Sequence, residues 1–327
     1  MNTLEVVSLQ LPKLKIGELI PKYPIIQGGM AVRISTSNLA AAVAEAGGIG
    51  IIAATGMEKE ELIREIRLAR EKTKGIIGIN VMFAITRFKE LVYTALDEGI
   101  DLVVQGAGFS RDIFGWCSEA NIPLVPIVST AKLARIAEKL GASAVVVEGK
   151  EAGGHLGTDE SMRKIVPEVR KAVSIPVIAA GGIVDAMDMK EAFSLGADGV
   201  QMGLRFAASE EANGARNLKE MYVRAKKEDI ILIESPVGLP GRAIRNEFTD
   251  KIFSGDVEPT ANCTGCLKKC KKNFCIMDAL NNAQKGNLKE GLVFSGEYID
   301  KIKEILSAEK IIKDLVKTFE GLDSVEA

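Results

Sequence analysis

The chain has little that would tie it to a charged surface or a membrane. Its 42 basic and 44 acidic residues leave a net charge of -2 at pH 7, so no overall field recruits nucleic acid or an anionic bilayer. No apolar run approaches the roughly 20 residues needed to span a membrane. The first residues, with Glu5 and no basic-then-apolar-then-small order, do not read as a signal peptide. A cytoplasmic protein is therefore expected, with neither nucleic acid nor membrane among its partners. No GxGxxG motif opens the chain, and Gly28-Gly29 is not one, which argues against a separate dinucleotide domain. Histidine occurs once in 327 residues, at position 155.

What is present is a large apolar fraction, 47%, ample for a substantial core. Apolar runs alternate with amphipathic, charge-bearing segments through residue 204, the pattern of repeated β-α units with a parallel sheet. Eight strands are expected, at 24–27, 50–53, 78–82, 102–105, 124–128, 144–148, 177–180 and 199–202. Plausible helix caps lie between them at Ser35 or Thr36, Ser129 or Thr130, and Asp185. Eight such units fit a closed (β/α)8 TIM barrel better than an open doubly wound sheet, because unusual residues collect where strands end. Gly28, Gly29 and Met30 follow the first strand; Asn80 is in the third; Gln105 ends the fourth; Glu148 ends the sixth; Gly181 and Gly182 follow the seventh; Met202 and Gly203 close the eighth. After 204 the rhythm changes. Residues 209–228 look helical, 230–262 irregular with Pro236, Gly238, Pro240, Gly241 and Pro259, and an amphipathic helix is expected from about Tyr298 to Phe319. The expected division is a barrel over 1–207, a smaller, mainly helical lobe over 208–296, and a C-terminal helix over 297–327 packing back on the barrel.

His155 lies in the glycine-rich stretch 148–157, directly beyond an apolar strand, where an α/β enzyme would keep a general base. A loop histidine with a purely structural hydrogen bond is the plain alternative. Gly153, Gly154 and Gly157 favour the functional reading, since they strip side chains from both sides of the imidazole and let backbone approach a ligand. Glu148 could bond a ligand or fix His155, or be a solvated carboxylate. Lys150 and Glu151 read as loop charges, and Trp116 and Cys117 as packing residues. The two glycine turns at Gly181-Gly182 and Gly203 fall after consecutive strands, the paired positions at which barrels bind phosphate. Four of the five cysteines, Cys263, Cys266, Cys270 and Cys275, crowd into thirteen lysine-rich residues. In a reducing compartment such spacing suits Zn²⁺ or an iron-sulfur cluster better than disulfides.

The segments 24–30 (PIIQGGM), 148–155 (EGKEAGGH), 179–183 (AAGGI) and 201–206 (QMGLRF), extending through 241–246 (GRAIRN), resemble the nitronate monooxygenases, whose superfamily includes the flavin-dependent enoyl-acyl carrier protein reductase II. The resemblance implies FMN in a TIM barrel, with Gly28, Gly29, Met30, Asn80, Gln105, Glu148, Gly153, Gly154 and Met202 around the flavin, Gly181, Gly182 and Gly203 at its phosphate, and His155 as catalytic base or orienting donor. Leu204 stands where the family usually has a hydroxyl residue. The part of the cysteine run from 263 to 270 is similar to the [4Fe-4S]-binding run of flavin-dependent dienoyl reductases. Three readings follow: a monooxygenase oxidising alkyl nitronates with O2; an enoyl thioester reductase using NADH or NADPH as a transient reductant; and, from another class, a non-catalytic phosphate-ligand or metal-binding regulator. The expected partners are a small molecule or an acyl thioester, with a homodimer as the expected assembly.

Overall fold

The apolar runs become strands at nearly every expected position in a computed structural model that describes residues 10–106, 108–257 and 263–322. In chain order the strands are β1 Ile25–Gln27, β2 Gly50–Ala53, β3 Ile77–Met82, β4 Leu102–Gly106, β5 Leu124–Val128, β6 Val145–Glu148, β7 Gly154–His155, β8 Val177–Ala180, β9 Gly199–Met202, β10 Ile230–Glu234 and β11 Pro240–Ile244. Eight of them form one parallel sheet in the order β1-β9-β8-β6-β5-β4-β3-β2. The ends meet through the Ile26 to Ile49 bridge and the bond from Gln27 N–H to the Ile49 carbonyl at 2.9 Å, which closes the TIM barrel.

Strand alternation sorts the side chains into two cores. Ile26, Ile51, Val104, Val125, Val146 and Ile178 fill the barrel interior. Their neighbours Ile25, Ile52, Val103, Val145, Val147 and Val177 pack outward against the helices. Thr130 caps its helix by accepting from Leu133 N–H at 3.2 Å. Asp185 does the same for Ala186–Ser194 in a reciprocal capping box with Asp188. Thr36 occupies the cap position before Ser37–Glu45 but makes no side-chain cap bond. Cys117 is buried against the barrel as a packing residue, as expected.

Beyond residue 204 the structure departs from the sequence reading in three places. The helical content of 209–228 contracts to Arg216–Arg224 and a 3-10 turn at Lys227–Asp229. The stretch expected to be irregular contains a hairpin, with β10 and β11 antiparallel from Ile230 opposite Ile244 to Glu234 opposite Pro240. Of its prolines and glycines, Pro240 and Gly241 open β11, and Pro236 and Gly238, the latter at φ 88°, belong to the turn. They mark the end of pairing and were read as its absence. Helix Glu247–Ser254 follows, capped by Asn246 and stopped by Gly255 at φ 77°. Residues 258–262, with Pro259, lie outside the described residues. The last helix is Ala308–Glu320, starting where Ser307 accepts from Lys310 N–H at 3.2 Å. It packs on Ser37–Glu45 and Ala186–Ser194. Among the described residues no helix is long and apolar enough to cross a membrane.

Candidate active site

The parity that fills the barrel continues one level up and builds the floor of a cavity at the carboxyl ends of the strands. Two residues beyond the inward-facing Ile26, Val104, Val125, Val146 and Ile178 stand Gly28, Gly106, Ile127, Glu148 and Ala180, and all of them line the cavity, as do Asn80 and Gln201. The floor is thus mostly small or planar: two glycines, an alanine, two side-chain amides and one carboxyl.

Most residues singled out from the sequence meet here. Gly28, Gly29, Met30, Asn80, Glu148, Gly153, Gly154, His155, Gly181, Gly182 and Gly203 all line this one cavity. Gln105 and Met202 do not. Each is one residue out of phase: Gln105 follows the inward Val104, and Met202 packs in the outer core beside Val200. Gln201, which no motif singled out, takes the inward place and lines the cavity, and its buried Oε1 has no partner among the described residues. Counting by twos from Gly199, where a Cβ would point at Leu14 of the inner core, finds it.

The glycines divide into two kinds. Gly181 and Gly182 have φ 94° and 75°, and a Cβ on Gly182 would lie 2.7 Å from Tyr298 Cε2. A Cβ on Gly29 would fall 2.3 Å from Asn80 Cβ. The fold itself requires these residues. Gly203, at φ -96°, would place a Cβ no closer than 3.8 Å to anything, against Met30. Nothing in the protein explains a glycine there, and a ligand against the backbone would.

His155 is carried on β7, which pairs with β11 so that His155 faces Gly241. The β10–β11 hairpin brings in Ser235, whose Oγ is 2.7 Å from His155 Nε2. Phe294 stands edge-on to the ring at 5.1 Å between centroids. Burial lowers the imidazole pKa to about 4, so the ring is neutral near pH 7. Burial also pushes the Glu148 carboxyl up to about 7. Glu151 is not the loop charge expected. It is buried, accepts from Ser161 Oγ at 2.5 Å and Met162 N–H at 3.1 Å, and holds the start of Met162–Arg170.

The cavity is roofed by the smaller segment. Helix Ile276–Gln284 contributes Ile276, Met277, Leu280 and Ala283, helix Arg216–Arg224 contributes Leu218 and Tyr222, and the chain at 292–298 contributes Leu292, Phe294 and Tyr298. Arg33 ties this roof to the barrel: it pairs with Glu61 at 2.6 Å and donates from Nη1 to Asn281 Oδ1 at 3.1 Å. None of the roof residues announced itself in the sequence, because their apolar side chains are indistinguishable from core.

The cysteine loop seats the front of that roof. Thr86 N–H donates to the Cys266 carbonyl at 3.0 Å, Lys268 N–H to the Ala84 carbonyl at 2.8 Å, and Lys271 N–H to the Pro236 carbonyl at 2.9 Å. Cys263 and Cys270 are exposed, while Cys266 and Cys275 are half-buried. Burial first, then the neighbouring thiols of Cys275, Cys270 and Cys263, raise the Cys266 thiol. Among the described residues, however, no three His, Cys, Asp or Glu side chains come together in an arrangement that could hold a metal ion. The thiolate centre expected from spacing at Cys263, Cys266, Cys270 and Cys275 is therefore not supported. Spacing counts residues along a chain and does not fix where the thiols point, and here the chain is pinned to the barrel at Ala84 and Thr86 and to the hairpin at Pro236.

A closed eight-stranded barrel with a histidine, a buried carboxyl and unpartnered amide oxygen at the carboxyl ends of its strands is a barrel enzyme, and its relatives are oxidoreductases. The chain belongs to the nitronate monooxygenase family, whose model matches residues 13–94 and 83–318. A probable nitronate monooxygenase of Staphylococcus aureus (strain MSSA476) is 30% identical, covering 77% of this chain and 85% of that protein. Among solved structures, FabK from Thermotoga maritima is 35% identical with a TM-score of 0.84, covering 92% of this chain and 94% of that one. A nitroalkane oxidase from Streptomyces ansochromogenes, at 23% identity and TM-score 0.79, shares the fold over 92% of this chain and 96% of that one.

Proposed function

We propose that this oxidoreductase uses FMN to oxidise alkyl nitronates with O2. The observation that carries the reading is the floor: a surface of small residues and side-chain amides, Gly28, Gly106, Asn80, Ala180 and Gln201, beside a neutral histidine, with a buried Gln201 Oε1 that has no partner among the described residues. A flat heteroaromatic ring with N–H donors fits such a surface and satisfies that oxygen. Gly203 and the Gly181-Gly182 turn would hold the phosphate. Bound FMN supplies the electron-accepting ring, which the protein's own side chains cannot provide.

The chain's residues then have distinct tasks. Asn80 and Gln201 orient the ring from below. His155, catalytic in this reading, hydrogen-bonds a substrate oxygen. Glu148, largely protonated below about pH 7, adds a neutral hydrogen-bonding group where a carboxylate would repel an anionic nitronate. The apolar roof excludes water from the reacting atoms.

That roof is also the observation favouring a second reading. Leu218, Tyr222, Ile276, Met277, Leu280 and Leu292 make a wall larger than a short nitronate needs, and an enoyl thioester reduced at the expense of NADH or NADPH would use it. Oxygen consumption with an alkyl nitronate and no nicotinamide supports the monooxygenase. Nicotinamide oxidation that requires an enoyl thioester, with no nitronate turnover, would replace it by the reductase.

A further inference from the structure

The partners of Ser235 determine which nitrogen of His155 carries the proton. Ser235 directly follows the hairpin strand β10 and is completely buried. Its Oγ accepts from Val237 N–H at 3.3 Å across the turn and lies 2.7 Å from His155 Nε2. A hydroxyl has one proton to give. Among the described residues the only acceptor in reach of that proton is His155 Nε2. Were Nε2 protonated instead, two donors would converge on Oγ and the buried hydroxyl hydrogen would have nowhere to go, an unfavourable state in an enclosed site. The other ring nitrogen, Nδ1, makes no hydrogen bond to a described residue, and the ring lines the cavity.

We propose that Ser235 is a positioning residue that donates to Nε2 and holds His155 as the Nδ1–H tautomer, so that His155 offers the substrate an N–H donor and no basic lone pair. The hydrogen bond made by one imidazole nitrogen sets the state of the other. Burial keeps the ring neutral down to about pH 4, so the assignment applies across the working range. An Nδ1–H suits an oxygen that is negative or gains negative charge, such as a nitronate oxygen or a thioester carbonyl, and it cannot remove a proton from carbon. The consequence for catalysis rests on the proposed reading that His155 faces the substrate. The tautomer itself does not.

Because the chain has one histidine, the test is unusually direct. Untagged, FMN-loaded protein labelled with ¹⁵N in its histidine gives a single imidazole in a long-range ¹H–¹⁵N correlation spectrum. At pH 7 the expected pattern is a pyrrole-type Nδ1 and a pyridine-type Nε2. Ser235→Ala is expected to shift the ring toward Nε2–H, the form preferred in water, and to lower kcat/KM about tenfold, the scale of one lost orienting hydrogen bond, with FMN content unchanged. Nε2–H in the wild-type protein overturns the proposal whatever the variant does, and so does a Ser235→Ala spectrum identical to wild type. A tautomer shift with undiminished turnover would uphold the hold of Ser235 on the ring and overturn the substrate-facing role of His155.

Discussion

Alanine at Gly203 separates a ligand cradle from a structural glycine. The backbone there is at φ -96°, which any L-residue adopts, and the new Cβ would meet nothing nearer than Met30 at 3.8 Å. Replacing glycine at such a position restricts the unfolded chain and stabilises by about 0.4–1 kcal/mol. The ligand-free protein should therefore melt unchanged, or up to about 1.5 °C higher. If a phosphate rests on this backbone, the methyl group displaces it and removes at least one charge-assisted hydrogen bond, about 1.5–3 kcal/mol. The FMN Kd then rises roughly 10- to 150-fold. Titration of ligand-free protein, followed by flavin fluorescence, reads this, with riboflavin as a control lacking the phosphate. Riboflavin affinity should hold. An unchanged FMN Kd, or an equal loss for riboflavin, would refute the placement of the phosphate, and a Tm several degrees lower would show that the fold needs the glycine after all. Gly182→Ala offers no such separation, because φ 75° and a Cβ 2.7 Å from Tyr298 Cε2 damage the fold directly.

Other expectations are more briefly put. Glu148 titrates near 7 in the folded chain instead of 4.5; the folded state holds the proton longer, so stability falls as pH rises through that window, by about 1–3 kcal/mol. His155 titrates near 4 instead of 6.5; there the unfolded state takes the proton first, so stability is lost as pH falls through that window. The two slopes oppose each other between roughly pH 4.5 and 6.5. In denaturation of ligand-free protein, Glu148→Gln should leave stability rising with pH and His155→Gln should leave it falling; slopes of the same sign would show that one of the two burials is misjudged. Alkylation followed by mass spectrometry should label the exposed Cys263 and Cys270 first, the half-buried Cys266 and Cys275 more slowly, and Cys117, whose thiol burial pushes up to about 12, only on unfolding. Protection of all four loop thiols that a chelator lifts would reinstate the thiolate-metal reading of their spacing.

Regular periodicity was easy to read in this chain, and long-range convergence was not. β2, β5, β8 and β9 match their expected limits to the residue, because short apolar runs flanked by proline, glycine or polar residues leave little choice of boundary. Gln105 and Met202 lie off the cavity lining for the opposite reason: a strand exposes alternate residues, so a step of one places a side chain on the other face, and Gly106 and Gln201 line the cavity. The β10–β11 hairpin was obscured by Pro236 and Gly238, whose role as turn residues shows only when both flanking strands are recognised, and by Pro240, which opens β11. Ser235 and Met277 had no local signal at all. They lie 80 and more residues from His155 and reach the cavity through a hairpin and a roof helix whose docking no short window of sequence encodes.

The central claim is that the cavity above Gly28, Asn80, Glu148 and Gln201 binds FMN and passes it electrons from a nitronate. An anaerobic absorbance titration of purified protein tests it most directly. The account predicts one FMN per chain, bleached by an alkyl nitronate without nicotinamide and restored on admitting O2. A colourless protein that cannot be reconstituted with FMN, or a flavin that nitronate leaves fully oxidised, would contradict it.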